Sequence, residues 1–182
     1  MIRASIFGLV SLFLVFVSRK SLSRPRSHGF FRFFAWESIV LLALLNLPWW
    51  VDRPLAPRQL ASWALITVSA VLALHGAHLL RHKGAPGTDR PDEELFAFER
   101  TSRLVTEGAF KYIRHPLYSS LLLLTWGVFL KHPWPPGLLA ALGASLFLFL
   151  TAKNDEAECL EYFGEDYRAY MRRTRRFLPF LL

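Results

Sequence analysis

The sequence is poor in cysteine: Cys159 is the only one, so a disulfide framework is excluded. It is also poor in charge. Asp, Glu, Lys and Arg make up 20% of the 182 residues, below the roughly 25% of ordinary soluble domains. Acidic residues are the scarcer sign, 14 against 22 Lys and Arg, which gives a formal net charge of +8. What the chain has instead is apolar surface, with 53% hydrophobic residues and a mean hydropathy of +0.27. That content excludes intrinsic disorder and a collagen-like rod. The apolar residues come in blocks, so the sequence predicts an integral membrane protein.

Five apolar blocks are present, at about 2–17, 33–51, 60–80, 117–130 and 138–151. None alternates with period two, so each predicts a membrane-spanning helix and not a barrel strand. The first block has its cations behind it, at Arg19, Lys20, Arg24 and Arg26, with no small-residue cleavage site; a retained anchor is expected. The second closes on Trp49 and Trp50, an interfacial aromatic anchor. The fourth and fifth are joined by Lys131-His132-Pro133-Trp134-Pro135-Pro136-Gly137, which predicts a tight helical hairpin. After the fifth, residues 152–173 predict a cytoplasmic amphipathic helix, with Leu160, Phe163, Tyr167 and Tyr170 on one face. Gly164 interrupts it and suggests close packing at that point.

Most Lys and Arg fall in the connections after blocks one, three and five, against Arg3, Arg53, Arg58 and Lys131 on the other side, with Arg32 at a membrane edge. The positive-inside rule then places the N-terminus outside and the C-terminus in the cytoplasm. The fold class expected is an all-α membrane protein with five transmembrane helices. Residues 1–100 form an N-terminal membrane region and 101–182 carry the chemistry. Basic residues at membrane edges point to lipid head groups; nucleic acid is not an expected partner.

The densest polar constellation is Gly108 to Tyr118. Pro116 predicts the first turn of the fourth helix, so Arg114 and His115 sit at a helix N-terminus suited to an anion. A basic snorkelling collar is the plainer alternative. Asp155, Glu156, Glu158 and Glu161 form an acidic run after the fifth block, and the hairpin makes the two ends neighbours. Three more polar features stand apart. His75, His78 and His82 share one face at the end of the third block and could ligate a metal or haem, or form an interfacial stripe. Glu37 lies within the second block, where pairing with Arg32 is expected. Cys159 reads as a packed small side chain.

The ordered set Leu104-Val105-x-x-Gly108, Arg114-His115-Pro116-x-Tyr118, an acidic pair, Phe163-Gly164-x-x-Tyr167-x-x-Tyr170 and Phe177-Leu178-Pro179 resembles the isoprenylcysteine carboxyl methyltransferase family. The related membrane phospholipid N-methyltransferases share much of it. The resemblance covers Ser102 to Pro179 and implies an integral membrane methyltransferase that uses S-adenosyl-L-methionine without a Rossmann fold. Carried over residue by residue, it implies cofactor contacts at Ser102, Arg103, Leu104, Val105, Phe110, His115, Pro116, Leu117, Tyr118, Asp155 and Glu156. Asp155, Glu156 and His115 are the catalytic candidates, and no metal is implied. Three positions depart from the family pattern: Phe110 replaces a tyrosine, Asp155 a glutamate, and Thr151 stands where a substrate-binding arginine is usual. The last disfavours a prenylcysteine carboxylate, leaving a lipophilic small molecule or lipid head group as the O- or N-methyl acceptor. The site would face the cytoplasm, in a bacterial inner membrane. The rival readings are a haem- or metal-binding membrane protein using His75, His78 and His115, and a non-catalytic membrane scaffold.

Overall fold

A computed structural model of the chain describes residues 1–85, 87 and 101–179. The expected division between residues 100 and 101, and most of the polar connection before it, fall outside the described residues. The described chain folds into six helices: α1 (Ile2–Leu22), α2 (His28–Leu45), α3 (Pro57–Lys83), α4 (Pro116–Phe129), α5 (Pro135–Phe163) and α6 (Glu165–Arg173). Short 3-10 turns occupy Leu47–Trp49 and Gly108–Lys111. The all-helical expectation therefore holds. Helices α1, α2, α3 and α5 are long and apolar enough to cross a bilayer. Helix α4 has 14 residues, about 21 Å at ~1.5 Å per residue. That is short of the roughly 30 Å hydrocarbon core.

Several boundaries differ from the apolar blocks, each for a local reason. Helix α2 starts at His28 because the Ser27 hydroxyl accepts the Phe30 N–H at 3.1 Å and caps the first turn. Prolines open α3, α4 and α5, where a missing N–H costs nothing. Pro135 and Pro136 thus begin α5, and the hairpin turn is shorter than the sequence suggests. The fifth block does not stop at 151: α5 is one helix of 29 residues. The expected tail helix at 152–173 is its last three turns followed by α6. Gly164 separates them with φ +58° and ψ −127°, a region open essentially to glycine alone. No atom lies within 4 Å of the Cβ that a larger residue would carry there. Backbone conformation, not close packing, therefore requires this glycine.

The helices pack as antiparallel pairs through small and hydroxyl-bearing residues, the usual means of association where lipid is as apolar as leucine. Between α3 and α4, Ser62 Oγ donates to Gly127 O and Ser69 Oγ to Ser120 O, each at 2.7 Å. Farther along, Gly76 faces Pro116 and Leu117. A Cβ on Gly127 would lie 2.8 Å from Ile66 Cγ1, so glycine sets the approach. Between α2 and α5, Phe34 stacks on Phe147, and Ala35, Ala141, Ala144, Leu148 and Ala152 are fully buried. Helix α1 packs on α2, and Ser11 Oγ donates to Glu37 Oε2 at 2.7 Å. Arg32 lies over the Trp36 ring.

At the hairpin end, Asn46 donates to Val128 O at 2.8 Å and accepts from Trp134 Nε1 at 3.2 Å. Lys131 is fully buried. Its ammonium donates to Gln59 Oε1 at 3.0 Å and sits 3.3 Å from the Trp63 ring centroid. Burial holds its pKa below the ordinary lysine value. These contacts fasten the hairpin turn to α2 and α3, which fixes the opposite ends of α4 and α5 where the polar constellation lies.

Candidate active site

The polar constellation assembles at the N-terminus of α4, with His115 as the cap residue and Pro116 opening the helix, as the sequence predicts. The chain's last described segment completes it. Arg114 N–H donates to Arg175 O at 2.7 Å and His115 N–H to Arg176 O at 3.2 Å. Arg175 N–H donates back to Tyr112 O at 3.0 Å, so residues 112–115 and 175–176 run side by side as a short parallel pairing. The His115 amide expected to greet an anion is therefore already engaged by the protein.

Glu156 is the centre of a buried ion cluster. It accepts from Arg114 Nε at 2.8 Å, from Arg176 Nη2 at 2.6 Å and from Arg176 Nε at 3.1 Å. His115 Nε2 lies 3.3 Å from its Oε1, and His115 Nδ1 lies 3.4 Å from Asp155 Oδ2. Burial works against a charged imidazole here, but hydrogen bonds to Asp155 and Glu156 outweigh it and hold His115 above its ordinary pKa of 6.5. His115 thus lies between two carboxylates that favour its protonated form. Its ring also stacks on Tyr118, 5.3 Å between centroids.

Beside this cluster lies a cavity of about 100 Å³, walled by Leu104, Val105, Phe110, His115, Pro116, Leu117, Tyr118 and Asp155 from the expected set. Leu80, Thr101, Arg114, Cys159, Phe163, Tyr167 and Tyr170 complete it. Three expected residues fall outside its walls. Ser102 is exposed and donates to Ala85 O at 2.8 Å, Arg103 is exposed with its N–H on Gly84 O, and Glu156 is spent on its arginines. Tyr167 and Tyr170 are each 3% exposed. Tyr170 Oη donates to Phe110 O at 2.7 Å, which carries α6 against the 3-10 turn. Burial pushes both phenols up in pKa, so they remain neutral donors. The amphipathic face of the tail was the signal for these tyrosines. Nothing in the sequence pointed to Arg176.

A second, larger cavity of about 620 Å³ is lined by Ile113 and Ser119, the residues on either side of the Arg114–Tyr118 stretch that walls the first. Leu72, Leu122, Leu123, Trp126, Phe177 and Leu178 line it, with Tyr112 and Ser119 as its polar side chains. The three histidines of the rival metal reading are not gathered. His78 stacks on His82, His75 borders Gly108, and His115 is held by the carboxylates. Among the described residues, three potential ligands converge only at His28, Asp155 and Glu158.

An α-helical frame thus carries a pocket with charged side chains at a helix N-terminus and a larger apolar cavity lined by neighbouring residues. The profile of the phospholipid methyltransferase family matches residues 58–165, more than half of the chain. The chain belongs to that family. Among curated relatives, it is 28% identical over 154 residues to a methanethiol S-methyltransferase of Pseudomonas deceptionensis, covering 82% of this chain and 54% of the relative. It is 24% identical over 168 residues to methanethiol S-methyltransferase 1 of Bradyrhizobium diazoefficiens, covering 86% and 56%. The chain thus spans about half the length of the curated relatives it matches. No solved structure matches it.

Proposed function

We propose that this chain is an S-adenosyl-L-methionine-dependent membrane methyltransferase acting on an amphipathic or lipid-like acceptor at the cytoplasmic interface. The observation that carries the reading is an aromatic-walled pocket bearing Arg114, His115 and Asp155, with a larger apolar cavity lined by the residues that adjoin it in the chain, Ile113 and Ser119. The donor set fits the cofactor. The Asp155 carboxylate accepts from amino and hydroxyl groups, the Arg114 guanidinium and the His115 imidazolium attract a carboxylate, and the faces of Phe110, Tyr118 and Phe163 stabilise a flat base and a sulfonium. Bound there, S-adenosyl-L-methionine supplies an electrophilic methyl group. The protein's part is to align the acceptor, exclude water and hold the charge of the pocket constant. Pockets for ligands of this size commonly reach about 300–1,000 Å³, so the walls of the 100 Å³ cavity must part to admit it. Asp155, partly exposed at the pocket rim, takes the acceptor's proton where the acceptor carries one.

Five crossings support the cytoplasmic placement. The reading that α4 crosses despite its length is supported by its antiparallel packing beside α3 from Ser62 to Gly76 and its return as α5. The cation-rich connections then lie at the α4 N-terminus, inside the cell by the positive-inside rule, in a bacterial inner membrane. Residues 1–100 serve as membrane frame and 101–182 as the cofactor-binding region. The curated relatives are named for methanethiol, a far smaller acceptor than a 620 Å³ apolar cavity can hold.

The test is transfer of a labelled methyl group from S-adenosyl-L-methionine by purified protein in nanodiscs, offered phosphatidylethanolamine, long-chain amines, long-chain carboxylic acids, long-chain thiols and methanethiol in parallel. Label in a long-chain product is expected. Label in methanethiol alone would replace the acceptor class, and label in none of them would refute the activity.

A further inference from the structure

A second imidazole–carboxylate pair stands behind the pocket, on residues that neither the family pattern nor the cavity walls include. Ser27 ends the turn before α2 and places His28 at the first helical position, with its backbone N–H pointing out of the helix. Glu158 of α5 occupies that end. Its Oε1 accepts the His28 N–H at 2.9 Å and its Oε2 lies 2.5 Å from His28 Nδ1. The ring is buried, 1% exposed, and its Nε2 has no hydrogen-bond partner among the described residues. Glu158 falls one helical turn after Asp155, on the same face of α5. The nitrogen of His28 and the carboxylate oxygens of Asp155 and Glu158 all lie within 4.8 Å of one another.

Two carboxylates thus stand between two imidazoles from the pocket to the α2 terminus, in the order His115, Asp155, Glu158, His28. We propose that His28 and Glu158 form a charge-compensating pair that positions Asp155 and sets the protonation of His115 from outside the pocket. The mechanism is electrostatic. Asp155 anchors His115 and lines the cavity, so any unbalanced charge one turn away acts on both. Ionised and paired, Glu158 and His28 cancel. With His28 neutralised, Glu158 adds a negative charge beside Asp155 and favours the imidazolium of His115. With Glu158 neutralised, His28 keeps Asp155 as its counter-charge, and the positive charge it then carries disfavours the imidazolium of His115.

The other charged and titratable groups around the two rings are accounted for. His115 faces Asp155 and Glu156 of α5, with Arg114 before it, Arg176 reaching it through Glu156, and Cys159 and neutral Tyr167 nearby. His28 faces Asp155 and Glu158 of α5 and Arg32 of its own helix. Apart from His28 and Glu158 themselves, every one of these is common to the wild type and the variants below. Two unit charges about 8 Å apart at an effective dielectric near 20 interact strongly enough to move a pKa by on the order of one unit.

The consequence for cofactor binding rests on the proposed function, but the geometry does not, and the test keeps the two apart. Exchange of each imidazole C2 hydrogen in cofactor-free protein, resolved by peptide mass spectrometry across pH 5–10, reads the pKa of His115 directly. His28→Gln keeps a hydrogen-bond donor to Glu158 but no charge, and should raise the pKa of His115. Glu158→Gln keeps the helix-end contact and should lower it. His28→Asn is a second neutral variant should His28→Gln fail to fold. Opposite shifts, each of about half a unit or more, are expected. A purely structural role would move both variants in one direction or neither, and any pattern other than opposite shifts overturns the proposal. S-adenosylhomocysteine affinity, measured separately in wild type, tests the underlying site.

Discussion

Replacing Glu156 with glutamine removes one charge and keeps the shape, yet three cations depend on it. Arg114 Nε at 2.8 Å, Arg176 Nη2 at 2.6 Å and His115 Nε2 at 3.3 Å all address this carboxylate. Glu156 is 5% exposed and Arg114 9%, so neither charge is well solvated. Breaking a buried pair by neutralising one partner typically costs about 3–5 kcal/mol. Arg176, at 25% exposure, keeps some hydration and its share is discounted. The expected loss is therefore at the lower end, about 3 kcal/mol. The effect should be localised as well as large. The backbone pairs Arg114–Arg175 and His115–Arg176 are held in place by the same arginines, so the amides of Arg114 and His115 should lose exchange protection first. Equilibrium unfolding by sodium dodecyl sulfate in mixed micelles gives the free energy, and amide exchange gives the location. Arg176→Gln should cost less, about 1 kcal/mol, because it leaves Arg114 and His115 paired. A Glu156→Gln loss below about 1 kcal/mol, with unchanged amide protection, would refute the view that this carboxylate holds the C-terminal segment on the site.

Two further outcomes follow from the packing and the charges. Because His115 is held above its ordinary pKa of 6.5 against the pull of burial, its contribution to stability is fully present below pH 6.5 and lost as pH rises through its folded value. Unfolding measured from pH 6 to 9 should show that decline, and His115→Gln should flatten it; an unchanged slope would contradict the imidazolium assignment. Gly127→Ala places a methyl 2.8 Å from Ile66 Cγ1 and 3.2 Å from Ser62 O. It should cost about 1–3 kcal/mol by prising α4 from α3, whereas a neutral result would mean that the two helices are not in fixed contact.

The helices themselves were legible because apolar blocks interrupted by proline and charge leave few alternatives in a membrane. His115-Pro116 was legible as a helix start because proline at the first position has one physical meaning. Boundaries failed where a single side chain decided them. Ser27 extended α2 backward by a cap, and the polar composition after Thr151 hid the fact that α5 simply continues. At Gly164 the sequence shows that a glycine is present and not which of its two uses, close packing or backbone conformation, applies. The site was half visible. The pocket residues Phe110, His115, Tyr118 and Asp155 stand in a recognisable order, but the sequence does not show that Glu156 accepts from Arg114 and Arg176. Its partner Arg176 lies 20 residues away in a segment with no periodicity to place it. The pair His28 and Glu158, 130 residues apart, was invisible for the same reason: two distant polar residues carry no mark of each other until the helices pack.

The central claim is that the pocket between α4, α5 and α6 holds S-adenosyl-L-methionine, and titration of S-adenosylhomocysteine into detergent-solubilised protein by calorimetry tests it most directly. Saturable binding near one equivalent is predicted, weakened about tenfold or more by Asp155→Asn through loss of a charged hydrogen-bond acceptor worth roughly 1.5–3 kcal/mol. No heat of binding at several temperatures in folded protein, or wild-type affinity in Asp155→Asn, would contradict it.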